Sequence, residues 1–198
     1  HTLTVNRISD YGLYLADEEG NEVLLPNRYV SLADRIGDTK EVFVYHDTEN
    51  RLTATTERPY AAAGETAFLE VVDKNLHGAF LAWGITAKDL FVPNSNQSFR
   101  MEPGKRYVVF VYRDNLSGRV VATTKLNGFI SNESVSVRPR QRVDILVARR
   151  IPVGYRVVVE NRHWGVLYDN QLFRPIHIGD RLEGYAVSYT HLRAHETL

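Results

Sequence analysis

The feature that most constrains this chain is a block of sequence that occurs twice in the same register. Val42-Phe43-Val44-Tyr45-His46-Asp47 returns as Val109-Phe110-Val111-Tyr112-Arg113-Asp114. Each copy is followed by a short polar turn, an arginine (Arg51, Arg119), a hydrophobic residue and Ala-Thr-Thr at 54–56 and 122–124. Upstream, Gly37 pairs with Gly104, Pro26 with Pro93, and Gly12-Leu13-Tyr14-Leu15 with Gly78-Ala79-Phe80-Leu81. Partners stand 66 to 68 residues apart, with a single insertion in the polar turn. Chance does not hold a register over that many landmarks, so a unit of about 65 residues has been duplicated. A fainter third copy runs through Gly154-Tyr155-Arg156-Val157 and Ile178-Gly179-Asp180-Arg181.

Each unit reads as strands. Val108 to Arg113 is a β-branched and aromatic run, closed by the turn residues Asp114-Asn115-Leu116-Ser117-Gly118. Asp17-Glu18-Glu19-Gly20-Asn21 separates two apolar runs in the same way. Helical periodicity is confined to Val30–Ile36 and Thr86–Leu90. Short strands at this spacing with little helix predict an all-β chain of tandem five-stranded barrels of the OB type, because closing a barrel removes exposed edges. The expected layout is a first barrel at 1–60, a second at 61–126, a linker at 127–142 and a third, incomplete barrel at 143–187. Within the linker, Val135-Ser136-Val137 has the composition of a short strand. Residues 188–198 break the pattern where a final strand is due, and read as an atypical, foreign tail.

Composition narrows the chemistry. There is no cysteine, which removes disulfides, iron–sulfur clusters and thiolate zinc sites together. The lack of cysteine is consistent with a cytoplasmic location; no run approaches the apolar length of a membrane helix, and no basic-then-apolar leader is present. The first residue is His1, as in a processed chain or a fragment. Net charge is zero but unevenly spread. Residues 1–60 hold 6 Lys/Arg against 11 Asp/Glu, residues 61–125 hold 8 against 6, and residues 126–198 hold 10 against 7. A polyanion responds to local charge and is expected on the second and third units.

The landmarks themselves resemble a known domain. Gly-x-aromatic-hydrophobic, then Leu90-Phe91-Val92-Pro93, Gly104-Lys105-Arg106, a strand, Asp114, Arg119 and Ala122-Thr123-Thr124-Lys125-Leu126 resemble the S1-type RNA-binding domain of ribosomal proteins. Gly78-Ala79-Phe80-Leu81-Ala82-Trp83-Gly84 and Asn161-Arg162-His163-Trp164-Gly165-Val166-Leu167-Tyr168 are similar to the second and third domains of the bacterial conserved virulence factor B family. The resemblance implies an array of OB folds, single-stranded RNA as partner, no cofactor, and a regulator of gene expression rather than an enzyme. That family usually ends in a winged-helix domain, and none is found here. S1 domains often carry a histidine just after the third strand, where this chain has Pro26, Pro93 and Tyr168.

OB-type domains bind single strands by stacking bases on aromatics while basic groups follow the phosphates. Strand alternation puts Leu81 and Trp83 on one face and Gly78, Phe80 and Ala82 on the other, and sets Phe91 opposite Leu90 and Val92. Phe80 and Phe91 also hold the positions that resemble the family's stacking aromatics, although burial is the commoner fate of phenylalanine. Arg113, Arg119 and Lys125 are the candidate phosphate contacts of the second unit, with plain surface solubility as the alternative. In the first unit Tyr14 and Leu24 take the Phe80 and Phe91 places. Its acidity suits a weak or non-binding copy serving structure or a protein contact. In the third unit Arg156 takes the aromatic's place, with Tyr155 and His163 as further candidates; Trp164 reads as core.

Catalytic constellations are missing. Gly104-Lys105 lacks the glycine and hydroxyl of a phosphate loop, and no serine lies in a Gly-x-Ser-x-Gly elbow. His191 and His195 have i,i+4 spacing in the wrong motif order for a zinc site, so no metal is expected. Asp47 and Asp114 occupy equivalent turns, which repetition explains better than acid–base catalysis. A protein-interaction module built from OB barrels is the rival to RNA binding, and oligosaccharide binding a weaker third.

Overall fold

The computed structural model describes residues 1–187 and the backbone of a strand at Leu192–Ala194. Residues 188–191 and 195–198 of the expected foreign tail, His191 and His195 among them, lie outside the described residues. Among the described residues there is no α-helix. Contacts divide the chain into two compact units, one formed by 1–60 with 82–90 and 113–120, the other by 61–81, 91–112 and the residues from Val121 onward.

Alternating apolar residues build the first sheet. It contains β1 (Thr2–Ser9), β2 (Gly12–Ala16), β3 (Glu22–Pro26), β4 (Thr39–Glu41), β5 (Phe43–His46) and β6 (Leu52–Thr55), in the order β4-β1-β2-β3-β6-β5. Leu3 and Val5, Leu13 and Leu15, and Val23 and Leu25 point inward at a period of two and bury a core with Val42 and Ala54. The pairing of β3 with β6 is parallel, Leu24 opposite Thr53. The second repeat supplies β7 (Thr66–Lys74), β8 (Gly78–Leu81), β9 (Leu90–Pro93), β10 (Arg106–Arg113) and β11 (Val120–Thr123), which close into a barrel in the order β10-β11-β9-β8-β7. Here too the pairing of third and fifth strands is parallel, Phe91 opposite Val121. The third repeat forms a five-stranded sheet ordered β14-β13-β12-β15-β16, from β12 (Arg142–Ile151), β13 (Gly154–Val159), β14 (His163–Tyr168), β15 (Arg181–Ala186) and β16 (Leu192–Ala194).

Two backbone devices recur in all three repeats. At Gly12, Gly78 and Gly154 an added Cβ would lie 2.0, 2.2 and 1.9 Å from the carbonyl oxygens of Leu25, Val92 and Leu167. Only glycine lets the second strand of each repeat approach the third so closely. In the other device, the backbone N–H groups of Gly37, Gly104 and Gly179 each donate to a first-strand valine carbonyl, Val5, Val71 and Val147, at 2.8 Å. The same valines donate back to Asp38, Lys105 and Asp180. Just past each valine the first strand bulges, between Val5 and Arg7, Val71 and Asp73, and Val147 and Arg149. A bulge bends and twists its strand, which is how a short sheet curls toward closure.

β12 and β13 carry unbroken apolar stretches at 145–148 and 157–159, where both faces of the sheet are covered. Ile145, Val147, Val157 and Val159 face the third repeat's own core with Leu167 and Ile176. Leu146 and Val158 face the other way, onto Phe110 and Ile130. The expected linker is therefore packed rather than free. Phe129 stacks on Phe110 with ring centres 4.4 Å apart, Ile130 is buried, and Val137 enters the third core.

Three local expectations fail, and in each segment a side chain takes up a backbone N–H group. At 30–36 the carboxylate of Asp34 accepts from the Ser31 N–H and that of Asp38 from the Arg35 N–H, which gives turns, not a helix. At 86–90 Glu57 takes both the N–H and the hydroxyl of Thr86. At 135–137 there is no strand, and the Ser136 N–H goes to the His163 ring.

Replacing Gly78 or Gly154 by alanine forces the second and third strands apart and is expected to cost about 3 kcal/mol or more. Gly128→Ala meets open space and should stay within about 0.5 kcal/mol. Urea denaturation of the three variants, followed by circular dichroism, measures the difference.

Candidate nucleic-acid interface

The close approach at the glycines flattens one face of each second strand and defines an equivalent pair of positions on the second and third strands. In the second repeat the pair is Phe80 and Phe91. Both rings are half-buried, with centres 5.1 Å apart and planes inclined at 34°. Phe91 lies directly over Gly78, where an added Cβ would be 2.8 Å from its Cε2. The opposite face carries Ala79, Leu81, Leu90 and Val92, all buried. Asp73, beside the β7 bulge, stands in register with Phe80. Its carboxylate accepts from the Lys74 N–H.

The other two repeats fill the pair differently. In the first, Tyr14 stands in register with Leu24. The Arg7 guanidinium lies 3.6 Å from the Tyr14 ring centre and is held by three hydrogen bonds to the Glu22 carboxylate. Hydrogen bonding from Arg7, aided by Asn6, keeps Glu22 below the usual carboxylate range. The aromatic of the first repeat is thus already covered by a cation. In the third, Arg156 stands in register with Val166 and lies 4.1 Å over the Trp164 ring. Burial pulls the Arg156 guanidinium below its ordinary value, with the neighbouring Arg149 charge acting in the same direction. Trp164 is half-buried and packs against the core cluster of Phe110, Ile130, Leu146 and Val158, its Nε1 donating to Asn127 and its backbone tied to Asn132.

Lys125 is exposed at the end of β11, in the same compact unit as Phe80 and Phe91. Arg113 and Arg119 belong to the other unit. There Arg113 donates to the Gly118 carbonyl within a turn built on Asp114, and Arg119 Nε donates to Oδ1 of Asn50 in the first repeat's Asp47 turn. With Lys88 they surround His46, which burial and their charges hold below its ordinary value. Asp47 and Asp114 accept from the N–H groups and side chains of their own turns, a structural task.

In the third repeat Tyr155 donates to the Ile176 carbonyl and packs on that repeat's core, so its ring is only partly presented. His163 must be corrected as a binding residue. It is 5 % exposed, its Nδ1 meets the Ser131 carbonyl at 2.9 Å, and its Nε2 meets the Ser136 hydroxyl at 2.9 Å. The ring fastens the segment before β12 to β14. Among the described residues no group of three or more His, Asp or Glu side chains has the arrangement of a metal site, and no helix is long and apolar enough to cross a membrane.

The S1 domain family profile matches residues 1–57 and again 63–125, the two duplicated units and more than half of the chain. The chain belongs to the S1 domain family. The recurring glycine contacts extend the S1-like plan into the third repeat, beyond the matched residues. Over 92 residues the chain is 37% identical to the uncharacterized protein YitL of Bacillus subtilis (strain 168), covering 46% of this chain and 30% of that protein. It therefore spans less than a third of that relative's length. A crystal structure of a multidomain protein with nucleic acid binding domains from Streptococcus pneumoniae TIGR4 superposes with a TM-score of 0.55 at 16% identity, over 99% of this chain and 73% of the other. At that identity the likeness is one of fold.

Removing His163 leaves the Ser131 carbonyl and Ser136 donors without partners, so His163→Ala is expected to cost about 2 kcal/mol of stability. A thermal melt of the variant against the parent protein reads the loss.

Proposed function

We propose that this chain binds single-stranded RNA through the second S1 domain, with Phe80 and Phe91 as the stacking platform. The observation that carries this reading is the flat, half-exposed Phe80–Phe91 pair, at the place where the first domain's ring is covered by Arg7. Aromatic pairs on an OB sheet take successive bases because every base has a π face. Lys125, exposed and without an ion pair among the described residues, supplies a phosphate contact. Asp73 beside Phe80 disfavours a phosphate there and favours base edges with amino donors. Arg113 and Arg119 are further phosphate contacts of this reading, tested separately from the platform.

The same reading makes the chain part of a cytoplasmic bacterial regulator of gene expression of the conserved virulence factor B kind. It assigns the acidic first domain to structure rather than to RNA, since its aromatic is covered and its charge repels phosphates.

Fluorescence anisotropy with a labelled mixed-sequence single-stranded RNA, at low and moderate salt, tests the platform. Stacking is worth about 1–3 kcal/mol per base, so Phe80→Ala/Phe91→Ala is expected to weaken binding by at least about tenfold. Affinity should fall with salt in both proteins, because the phosphate contacts remain. Unchanged affinity in the double variant removes the platform from the RNA path.

A further inference from the structure

A second feature of the same compact unit is a groove of about 630 Å³ whose walls come from both the second and third repeats. Four cations line it: Arg106 and Lys125 from the second repeat, Arg149 and Arg156 from the third. No carboxylate among the described residues lines it. Outside the groove, Arg7 is matched with Glu22, Lys40 with Asp34, Arg51 with Asp47 and Arg150 with Asp169. Among the described residues none of the four groove cations has an ion-pair partner. Charges left unmatched along one concave wall focus a positive potential there.

Rings interleave with the cations. Phe99 and Tyr107 lie 5.4 Å apart at 37° on the second repeat's wall. Trp164 faces the groove from the third, fixed by Asn127 and capped by Arg156. Arg149 owes its place to the bulge between Val147 and Arg149, and stands in register with Arg156. An acidic peptide calls for cations alone. Cations alternating with flat rings suit a chain that carries phosphates and bases together.

We propose that this groove is a second binding segment for single-stranded nucleic acid, completed only when the second repeat's outer wall, Phe99, Arg106 and Tyr107, meets the third repeat's Arg149, Arg156 and Trp164. The third repeat has no aromatic pair at the Phe80–Phe91 positions, and the rings it lacks come from its neighbour. The proposal rests on the reading of the chain as an RNA-binding protein, but not on the Phe80–Phe91 platform.

The test uses a labelled 12-nucleotide mixed-sequence RNA, a length of roughly the span that one or two OB folds cover. Phe99→Ala/Arg106→Ser changes exposed residues of the second repeat's wall only. It is expected to weaken binding about tenfold and to lower the salt slope by about 0.7, the contribution of one phosphate on a single strand. Of the two tryptophans, Trp83 is buried, so RNA should quench Trp164 emission, and the quenching should vanish in Trp164→Phe. If the wall variant binds like the parent and Trp164 is not quenched while Phe80→Ala/Phe91→Ala loses binding, the groove is overturned and the platform stands. Loss in the wall variant with no effect at Phe80 and Phe91 supports the groove and overturns the platform. If poly-glutamate displaces the RNA at equal charge concentration, the groove is a general acidic-partner site and the nucleic-acid proposal falls. An absence of RNA binding by the parent protein overturns both.

Discussion

Each repeat depends on the contact between a glycine that opens the second strand and a carbonyl on the third. At about 2 Å from a would-be Cβ, that contact admits no side chain at Gly12, Gly78 or Gly154. It fixes how close the second and third strands run at that end of each sheet. The reciprocal hydrogen bonds between the first-strand valines and the turns at Gly37, Gly104 and Gly179 fix the other side. With both edges pinned and the first strand bulged between them, the sheet curls and its outer face is flat beside the glycine. A flat patch next to a curled sheet is where a ring can lie half-exposed without losing its packing.

The repeats keep this scaffold and differ in what they place on it. Tyr14 and Leu24, Phe80 and Phe91, and Arg156 and Val166 are equivalent by register, yet one ring is covered by an arginine, one pair is open, and one position is itself an arginine stacked on an indole. Scaffold residues contribute through backbone geometry that tolerates no alternative, while the surface pair is free to change. Duplication followed by change at two positions is enough to turn one fold into surfaces of different charge and ring content.

Much of the fold was legible in the sequence, because what repeats is what the backbone cannot do without: the glycines, the inward-facing Val and Leu residues and the Asp-led turns. The short helices expected at 30–36 and 86–90 were misread because apolar spacing says nothing about where Asp34, Asp38 or Glu57 will direct a hydrogen bond. The segment 127–142 looked like a linker from its Asn, Ser, Arg and Pro content. Its few apolar residues, Phe129, Ile130 and Val137, are the ones that anchor it. The site was legible only in part. Alternation along β8 and β9 separates Phe80 and Phe91 from Leu81, Leu90 and Val92. His163 was misassigned because nothing local shows that Ser131 and Ser136 occupy both its nitrogens. Phe99, Tyr107 and Arg149 belong to no motif, and Arg106 stands in one only beside the Gly104 turn.

By itself the sequence determined that this is a chain of repeated all-β units, which residues face each barrel's interior, and which unit keeps an aromatic pair on its outer face. These follow from periodicity and from the steric uniqueness of glycine, both properties of short stretches of chain. Tertiary structure alone decided that Arg7 covers Tyr14 and that His163 is a buried fastener. It also decided that β12 and β13 are covered on both faces, and that unmatched cations of two repeats line one groove. Those outcomes depend on contacts between residues tens of positions apart, and a linear pattern does not encode which distant side chain will arrive to satisfy or leave open a given charge.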